Sequence, residues 1–184
     1  MTTYPIHTTE TAPEGARQAL RGLQEVVGMV PNLAATMANC PPLINAFVAA
    51  SGQFQTGSLT DAERQVLLLT NAVANRCAWA VAFHSTLAIQ EGVDPADVEA
   101  IRRGQAPAAP RLEALSALAR TIIDKRGHLE DADVKAFTAE GFDDVHVLEV
   151  ITGTAISAMA NYAGNVAQPP LDAPFRAQAW SSEY

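Results

Sequence analysis

One segment near the middle of the chain is apolar around most of its circumference, and this constrains the fold more than any other feature. Thr60 and Glu63 begin it with the spacing of a capping box, in which each side chain accepts a hydrogen bond from the other residue's free backbone N–H. The segment continues through Val66–Leu69 and Ala72–Ala74. Such a helix must be buried on several sides. The sequence leaves open whether helices of the same chain or a second subunit cover it.

The rest of the chain predicts an all-α fold, because apolar residues recur three and four positions apart and proline or glycine separates the segments. The predicted helices cover about 13–27, 32–39, 41–54, 61–74, 76–90, 95–103, 111–125, 130–140 and a ninth segment from about 143. Asn75 is the expected N-cap of the fifth helix. No segment keeps the alternation of a strand. The tail after Pro170 is expected to dock on a surface through Phe175 and Trp180.

Composition excludes several classes of function. The chain of 184 residues suits one domain, and a formal net charge of −8 without a basic cluster disfavours binding to nucleic acid or to an anionic membrane. We find neither a signal peptide nor an apolar run long enough to span a membrane, so a cytoplasmic protein is expected. Two cysteines, Cys40 and Cys77, are too few for a disulfide scaffold.

Reactive residue types meet at helical spacing in one place, the segment that contains Cys77 and His84. Their separation of seven residues corresponds to about 10 Å along a helix axis, so they cannot bond directly within one helix. The residue one turn before His84 is Ala80. With Asn75 as N-cap, Cys77 would lie in the first helical turn, where the free amides and the neighbouring Arg76 favour a thiolate.

Each of these residues also has a structural interpretation. Cys77 is more often a small buried hydrophobe, His84 a hydrogen-bonded structural histidine, and Trp79 a core residue. His146 and Glu149 are three residues apart and would make a metal pair, but a polar contact facing solvent is the better interpretation. No metal site and no cofactor are expected.

The segment Asp61–Val66, followed by Cys77, Trp79 and His84, resembles the motif of the carboxymuconolactone decarboxylase superfamily, and in particular of its alkylhydroperoxidase D-like branch. Segments of the second half resemble the larger members of that branch: Arg126–His128, Asp131–Val134, Gly141-Phe142, Val147–Val150, Asn161-Tyr162 and Pro170–Asp172. The resemblance implies an alkylhydroperoxidase D-like bundle of about eight or nine helices that assembles as a homo-oligomer: a trimer, a hexamer or a dimer. It also implies an N-terminal arm and first helix at 1–30, a helical domain at 31–172 and a C-terminal tail at 173–184.

In the peroxidase branch that the chain resembles, the second cysteine of the motif is the nucleophile, the first cysteine resolves it as a disulfide, and histidine and glutamate relay protons. Here Ala80 replaces the second cysteine, Gln65 replaces the glutamate, and Asn165 stands where many larger members have histidine. A two-cysteine peroxidase cycle within this motif is therefore excluded.

Three functions remain open for a small-molecule substrate or ligand. The first is a one-cysteine, thiol-dependent hydroperoxide reductase, an antioxidant activity in which Cys77 forms a sulfenic acid that an outside thiol or Cys40 reduces. The second is decarboxylase-like acid–base chemistry at His84. The third is a non-catalytic helical oligomer or ligand-binding relative. The candidate catalytic residues are Cys77 and His84, and the candidate pocket or relay residues are Gln65, Trp79, Ala80 and Glu63.

Overall fold

The computed structural model describes residues 4–181, and this part of the chain is helical without any strand. The α-helices are α1 (Glu14–Val27), α2 (Asn32–Met37), α3 (Pro41–Gln55), α4 (Asp61–Ala74), α5 (Ala78–Gln90), α6 (Pro95–Arg102), α7 (Pro110–Lys125), α8 (Asp131–Ala139) and α9 (Asp144–Ala167), and a 3-10 helix follows at Ala173–Gln178. The predicted all-α fold is confirmed. The ends of the predicted arm and tail, at 1–3 and 182–184, lie outside the described residues.

Helix α4 is the centre of the molecule, as its apolar circumference predicts. It packs against α5, α6, α7 and α9, and most of its side chains from Glu63 to Ala72 are buried. Its capping box is present, with the Thr60 N–H donating to Glu63 Oε2 at 2.8 Å and the Glu63 N–H donating to Thr60 Oγ1 at 3.2 Å. Helices of the same chain therefore cover α4 on several sides.

The connection between α4 and α5 differs from the prediction. Asn75 is the C-cap of α4 and not the N-cap of α5, and α5 begins only after Cys77, which is its N-cap. Arg76 adopts a left-handed φ of 52°, the Arg76 N–H donates to Val73 O at 3.0 Å, and the Cys77 N–H donates to Ala72 O at 3.0 Å. These bonds form a Schellman motif, which usually places glycine at the left-handed residue. Because arginine and not glycine occupies that position, the sequence gives no signal that the helix ends there.

The C-terminal tail docks on its own chain. Phe175 of the 3-10 helix is buried and packs edge-on against Phe83 and Trp79 of α5, with ring centroids 4.9 and 5.8 Å apart. Trp180 Nε1 donates to Arg102 O at 3.1 Å, and the Arg102 guanidinium donates to the carbonyls of residues 178 and 179. The predicted docking through Phe175 and Trp180 is thus made within the chain, and the tail closes one side of α5.

The longest helix, α9, runs past most of the others. It packs against α2, α3, α4, α5, α7 and α8, and it approaches α4 closely where Gly153 faces Leu67. A side chain at position 153 would collide with Leu67, since an ideal Cβ would lie 2.6 Å from its Cδ2 atom. Among the described helices none combines the length and the apolar character that a membrane crossing requires.

Candidate functional site

The candidate site lies where the first turns of α5 meet α4, α9 and the tail. The tight turn that ends α4 places Cys77 at the start of α5, and the helix then presents Ala80 and His84 on one face, one turn apart from each other. Gln65 of α4 lies beside that face, and Gly164 of α9 lies beside its beginning. The structure therefore brings together most of the residues that the sequence singles out.

Cys77 is enclosed. Its side chain is only 1% exposed, and Gly164 of α9 sits so near that an ideal Cβ built on this glycine would lie 2.8 Å from Sγ. Burial raises the pKa of the thiol, and the nearby backbone N–H groups of Ala80 and Trp79 offset only part of that effect. The expectation of a stabilised thiolate at the start of α5 is therefore wrong for this conformation, because desolvation outweighs the helix terminus.

Ala80 occupies the position one turn beyond Cys77, and it is buried as completely as the cysteine. Its methyl group offers neither a hydrogen-bond donor nor an acceptor. Both cysteines are free thiols, with Cys40 exposed and Cys77 buried. A thiol that could resolve an oxidised Cys77 is thus missing from its own helix face.

His84 is held by Gln65, with 2.9 Å between Nδ1 and Oε1. The amide oxygen can only accept, so Nδ1 carries the proton of the neutral ring and Nε2 keeps its lone pair. Desolvation lowers the pKa of the half-buried His84 to about 3, and the Phe83 ring packs edge-on against the imidazole at 5.0 Å. His84 is therefore neutral at physiological pH and acts as a fixed hydrogen-bonding group rather than a strong base.

Trp79 has a structural partner that the sequence does not reveal. Its Nε1 donates to Asp172 Oδ2 at 3.0 Å, and the same carboxylate accepts the Asn32 N–H at 3.2 Å. Asp172 is itself buried. This carboxylate connects α2, α5 and the tail, so Trp79 serves as an anchor of the tail and not as the wall of an open pocket.

Glu63 does not belong to the site. Its carboxylate accepts hydrogen bonds from the Thr60 N–H and from Arg111 Nε of α7, the latter at 2.5 Å. Burial opposes its charge, but the Thr60 backbone and Arg111 bonds outweigh it and keep the pKa of Glu63 below its usual value. The prediction of Glu63 as a relay residue is corrected to a helix cap and an ion pair between α4 and α7.

His146 and Glu149 make separate polar contacts in the described structure, in line with the preferred interpretation of this pair. Glu149 accepts bonds from the Ser58 and Leu59 amides, and His146 Nδ1 lies 2.7 Å from Asp143 Oδ1 in the cap of α9. Within residues 4–181 no group of three or more histidine, cysteine, aspartate or glutamate side chains is placed to hold a metal ion.

Two surface grooves lie away from the site. One, of about 590 Å³, lies between α1 and α3, and the other, of about 540 Å³, lies beside α9 with Met37, Leu43 and Met159 in its lining. Neither touches Cys77 or His84.

Sequence inspection assigned no role in the site to three buried polar residues, Asn71 on α4 and Ser157 and Asn161 on α9. Each has a side-chain atom without a hydrogen-bond partner among the described residues. All three lie at core positions of their helices. A polar residue within an otherwise apolar helix face is therefore the sequence signal that could have identified them.

Comparisons with known proteins support the family and the fold. Residues 41–121 match the profile of the Carboxymuconolactone decarboxylase family. The chain is similar to an uncharacterized peroxidase-related protein with an alkylhydroperoxidase AhpD core from Ralstonia eutropha JMP134, at 24% identity and a TM-score of 0.82, over 94% of this chain and 93% of that one. It is also similar to an uncharacterized peroxidase-related protein from Silicibacter sp. TM1040, at 22% identity and a TM-score of 0.78, over 96% and 94% of the two chains.

A third solved structure with this fold is a cysteine-to-alanine variant of the debrominase Bmp8 in complex with 2,3,4-tribromopyrrole. It is 17% identical, with a TM-score of 0.75, over 97% of this chain and 95% of that one. No curated protein sequence matches the chain. At these identities the solved structures establish a shared fold.

Proposed function

We propose that this chain is a member of the carboxymuconolactone decarboxylase family that has kept the helical scaffold without redox turnover. The match of residues 41–121 to that family and the AhpD-like fold support this proposal. In this proposal the chain acts as a non-catalytic, binding or assembly protein. The observation that carries the proposal is the enclosed Cys77 thiol, 1% exposed and packed against the backbone of α9 at Gly164.

Three features of the site support this proposal. A peroxidatic cysteine must reach its substrate as a thiolate, whereas burial raises the pKa of Cys77. The nucleophilic thiol of the peroxidase motif belongs one turn beyond Cys77, where the buried Ala80 stands instead. A proton relay needs a carboxylate beside the histidine, and His84 has the uncharged Gln65 instead. Each departure alone would weaken turnover, and together they leave the site without an accessible thiolate, without the second thiol and without a carboxylate beside the histidine.

The test is a hydroperoxide assay with cumene hydroperoxide as oxidant and dithiothreitol as reductant. We expect the native protein to show no more turnover than its Cys77→Ser variant. We expect the combined Ala80→Cys and Gln65→Glu variant to gain turnover, because it restores a nucleophile one turn from His84 and a carboxylate beside it.

The matched control is Ala82→Cys combined with Gln65→Glu. Ala82 is a buried alanine of the same helix, but it does not share the face of Cys77 and His84. This control should stay inactive, since it adds a thiol without the geometry. Native turnover well above that of Cys77→Ser would contradict the proposal.

One observation favours a second candidate, the one-cysteine hydroperoxide reductase. The backbone N–H groups of Ala80 and Trp79 lower the pKa of the Cys77 thiol against the effect of burial, and they would stabilise a thiolate once the contact with α9 opened. The thiolate would attack the O–O bond of a hydroperoxide, release the alcohol after protonation and become a sulfenic acid. Two equivalents of a small thiol would then return Cys77 to the thiol and leave as a disulfide, with release of water.

The second candidate predicts that a dimedone probe labels Cys77 after peroxide treatment. A Cys40→Ser variant is the proper background, because Cys40 is exposed and would react on its own. Labelling at Cys77 would favour this candidate over the first. The acid–base alternative at His84 has less support, since the pKa of about 3 makes the ring a weak base and neither described groove reaches it.

A further inference from the structure

Three buried polar side chains lie where α4 packs against α9, in a contact that is otherwise apolar. Asn71 of α4 is 0% exposed, and Ser157 and Asn161 of α9 are 4% and 1% exposed. Among the described residues no hydrogen-bond partner is found for Asn71 Oδ1, Ser157 Oγ or Asn161 Nδ2. A buried polar atom without a partner is destabilising, so three of them in one helix contact need an explanation.

The helix backbone leaves these atoms without a partner, although it satisfies similar side chains elsewhere. Several threonine hydroxyls donate to the carbonyl four residues earlier in their helix, namely those of Thr36, Thr70, Thr86, Thr121, Thr152 and Thr154. Ser157 Oγ makes no such bond. Asn71 Nδ2 does donate to Leu67 O, at 2.8 Å, and this bond turns the amide so that Oδ1 is left free to accept.

Two close approaches determine how α4 and α9 lie against each other. Gly153 of α9 faces Leu67 of α4, and Gly164 of α9 faces Cys77, which follows the end of α4. The residue numbers rise in the same order in both pairs. The two helices therefore run parallel along this contact.

The three polar side chains lie between these two approaches. Asn71 and Ser157 each follow the first approach by four residues, which is about one helical turn, so they lie at the same level of the parallel helices. Asn161 follows Ser157 by four more residues and is its neighbour on α9. The three unpartnered atoms are thus placed within about one turn of each other along the contact.

Together these atoms match the hydrogen-bonding capacity of one water molecule. Asn71 Oδ1 can only accept, Asn161 Nδ2 can only donate, and Ser157 Oγ can do either. A water molecule between them would donate to Asn71 and Ser157 and would accept from Asn161. Buried waters typically make about three hydrogen bonds to polar groups that would otherwise have no partner.

Charge and size favour water over other occupants. The segments 65–74 of α4 and 150–167 of α9 contain no aspartate, glutamate, lysine, arginine or histidine, so an ion would find no opposite charge on either helix. Neither surface groove includes Asn71, Ser157 or Asn161 in its lining, so no groove is available there for a larger ligand.

We propose that an ordered water molecule binds between α4 and α9 and bridges Asn71, Ser157 and Asn161. The water site lies within the contact that brings Gly164 against Cys77. It stabilises the register of the two helices, since a shift of one along the other would separate the members of the bridge. The proposal does not depend on whether the candidate site has a catalytic activity.

The first experiment is a high-resolution crystal structure of the full-length native protein. We expect one water peak within hydrogen-bond distance of Asn71 Oδ1, Ser157 Oγ and Asn161 Nδ2. The absence of a peak between these atoms would overturn the proposal. A direct bond from Asn161 Nδ2 to Asn71 Oδ1 would also overturn it, because the two amides would then satisfy each other.

The second experiment repeats the structure with variants. Asn161→Leu keeps the approximate size of the side chain but removes the donor, and we expect loss of the water. The matched control is Asn165→Leu, the same substitution one turn later, where the exposed amide donates to Asn75 O at 2.7 Å. This control should keep the water at full occupancy.

Ser157→Ala tests the same site if Asn161→Leu does not fold. It removes one of the three partners with little change in volume, and we expect the occupancy of the water to fall. A water that keeps its position and full occupancy in each variant that folds would overturn the assignment of its partners.

Discussion

At the scale of single residues, Gly164 determines whether the Cys77 thiol is accessible. Because this position has no side chain, the backbone of α9 comes near enough to seal the thiol. An added Cβ at 2.8 Å from Sγ would be closer than van der Waals contact allows, so either the sulfur or the helix would have to move. The inaccessibility of Cys77 is therefore a property of its neighbour as much as of its own position.

We expect Gly164→Ala to destabilise the protein by roughly 1–2 kcal/mol, because overpacking outweighs the better helix propensity of alanine. We also expect faster labelling of Cys77 by a thiol reagent, since a displaced helix exposes the sulfur. Gly22→Ala is the control: no atom lies within 4 Å of its added Cβ, so it should be neutral or stabilise α1 by up to about 1 kcal/mol. Urea denaturation gives the stabilities, and equal values for the two variants would contradict the packing argument.

His84 makes stability depend on pH. Its pKa is about 3 in the folded protein and near 6.5 in the unfolded chain, so above about pH 7 neither state binds the proton and stability is complete. As the pH falls below 6.5 the unfolded chain takes up the proton and the folded protein does not. We expect the free energy of unfolding to fall by up to about 1.4 kcal/mol per pH unit through this group.

The measurement compares urea midpoints of the native protein and of His84→Gln between about pH 4 and pH 7. Glutamine keeps a hydrogen-bonding group beside Gln65 but does not titrate, so the difference between the two proteins isolates His84. The same pH slope in both proteins would mean that the ring is not held neutral by burial.

At the scale of elements, the turn between α4 and α5 shows why helix ends are harder to predict than helices. Asparagine is a favoured residue at a helix start and also occurs at helix ends, so Asn75 alone does not distinguish them. The distinction comes from Arg76, whose left-handed backbone is set by the Schellman bonds of the finished structure. The resulting shift moves Cys77 from the first turn of α5 to its N-cap.

We expect Arg76→Gly to stabilise the protein by up to about 1 kcal/mol, because glycine adopts the left-handed conformation without the steric cost that arginine bears. Arg21→Gly is the contrasting variant, since Arg21 is an exposed arginine inside α1 where glycine should cost about 1 kcal/mol. Thermal unfolding followed by circular dichroism measures both. Loss of stability in Arg76→Gly would show that the arginine side chain itself supports the turn.

At the scale of the whole molecule, local signals account for the fold and distant contacts account for the site. Capping residues, prolines and apolar periodicity act within a few positions, and they place nearly every helix to within a few residues. The contacts that close the site join residues far apart in the chain, as Trp79 to Asp172 and Cys77 to Gly164 do. No periodicity carries that information, because it depends on how finished helices pack.

The contact between Gln65 and His84 could be predicted from the sequence only in part. The family resemblance indicates that the two positions act together, and the structure supplies their bond and the neutral state of the ring. The chemistry of the site then follows from surroundings that a linear pattern does not contain, namely the burial of Cys77 and the desolvation of the half-buried His84. The helical scaffold was predictable because it depends on signals between residues that are close in the chain. The reactivity of the thiol was not, because it depends on contacts between residues that are far apart in the chain.

The uncharged stretch of α9 has a practical consequence for proteomics. Between Lys135 and Arg176 the chain has no lysine or arginine, so trypsin releases the whole of α9 within a single long peptide, residues 136–176. Amine-reactive cross-linkers have no lysine to attach to along that stretch. Surveys that rely on tryptic peptides and lysine cross-links would pass over this helix, whereas chymotrypsin, which cleaves after residues such as Leu148 and Tyr162, divides it into shorter pieces.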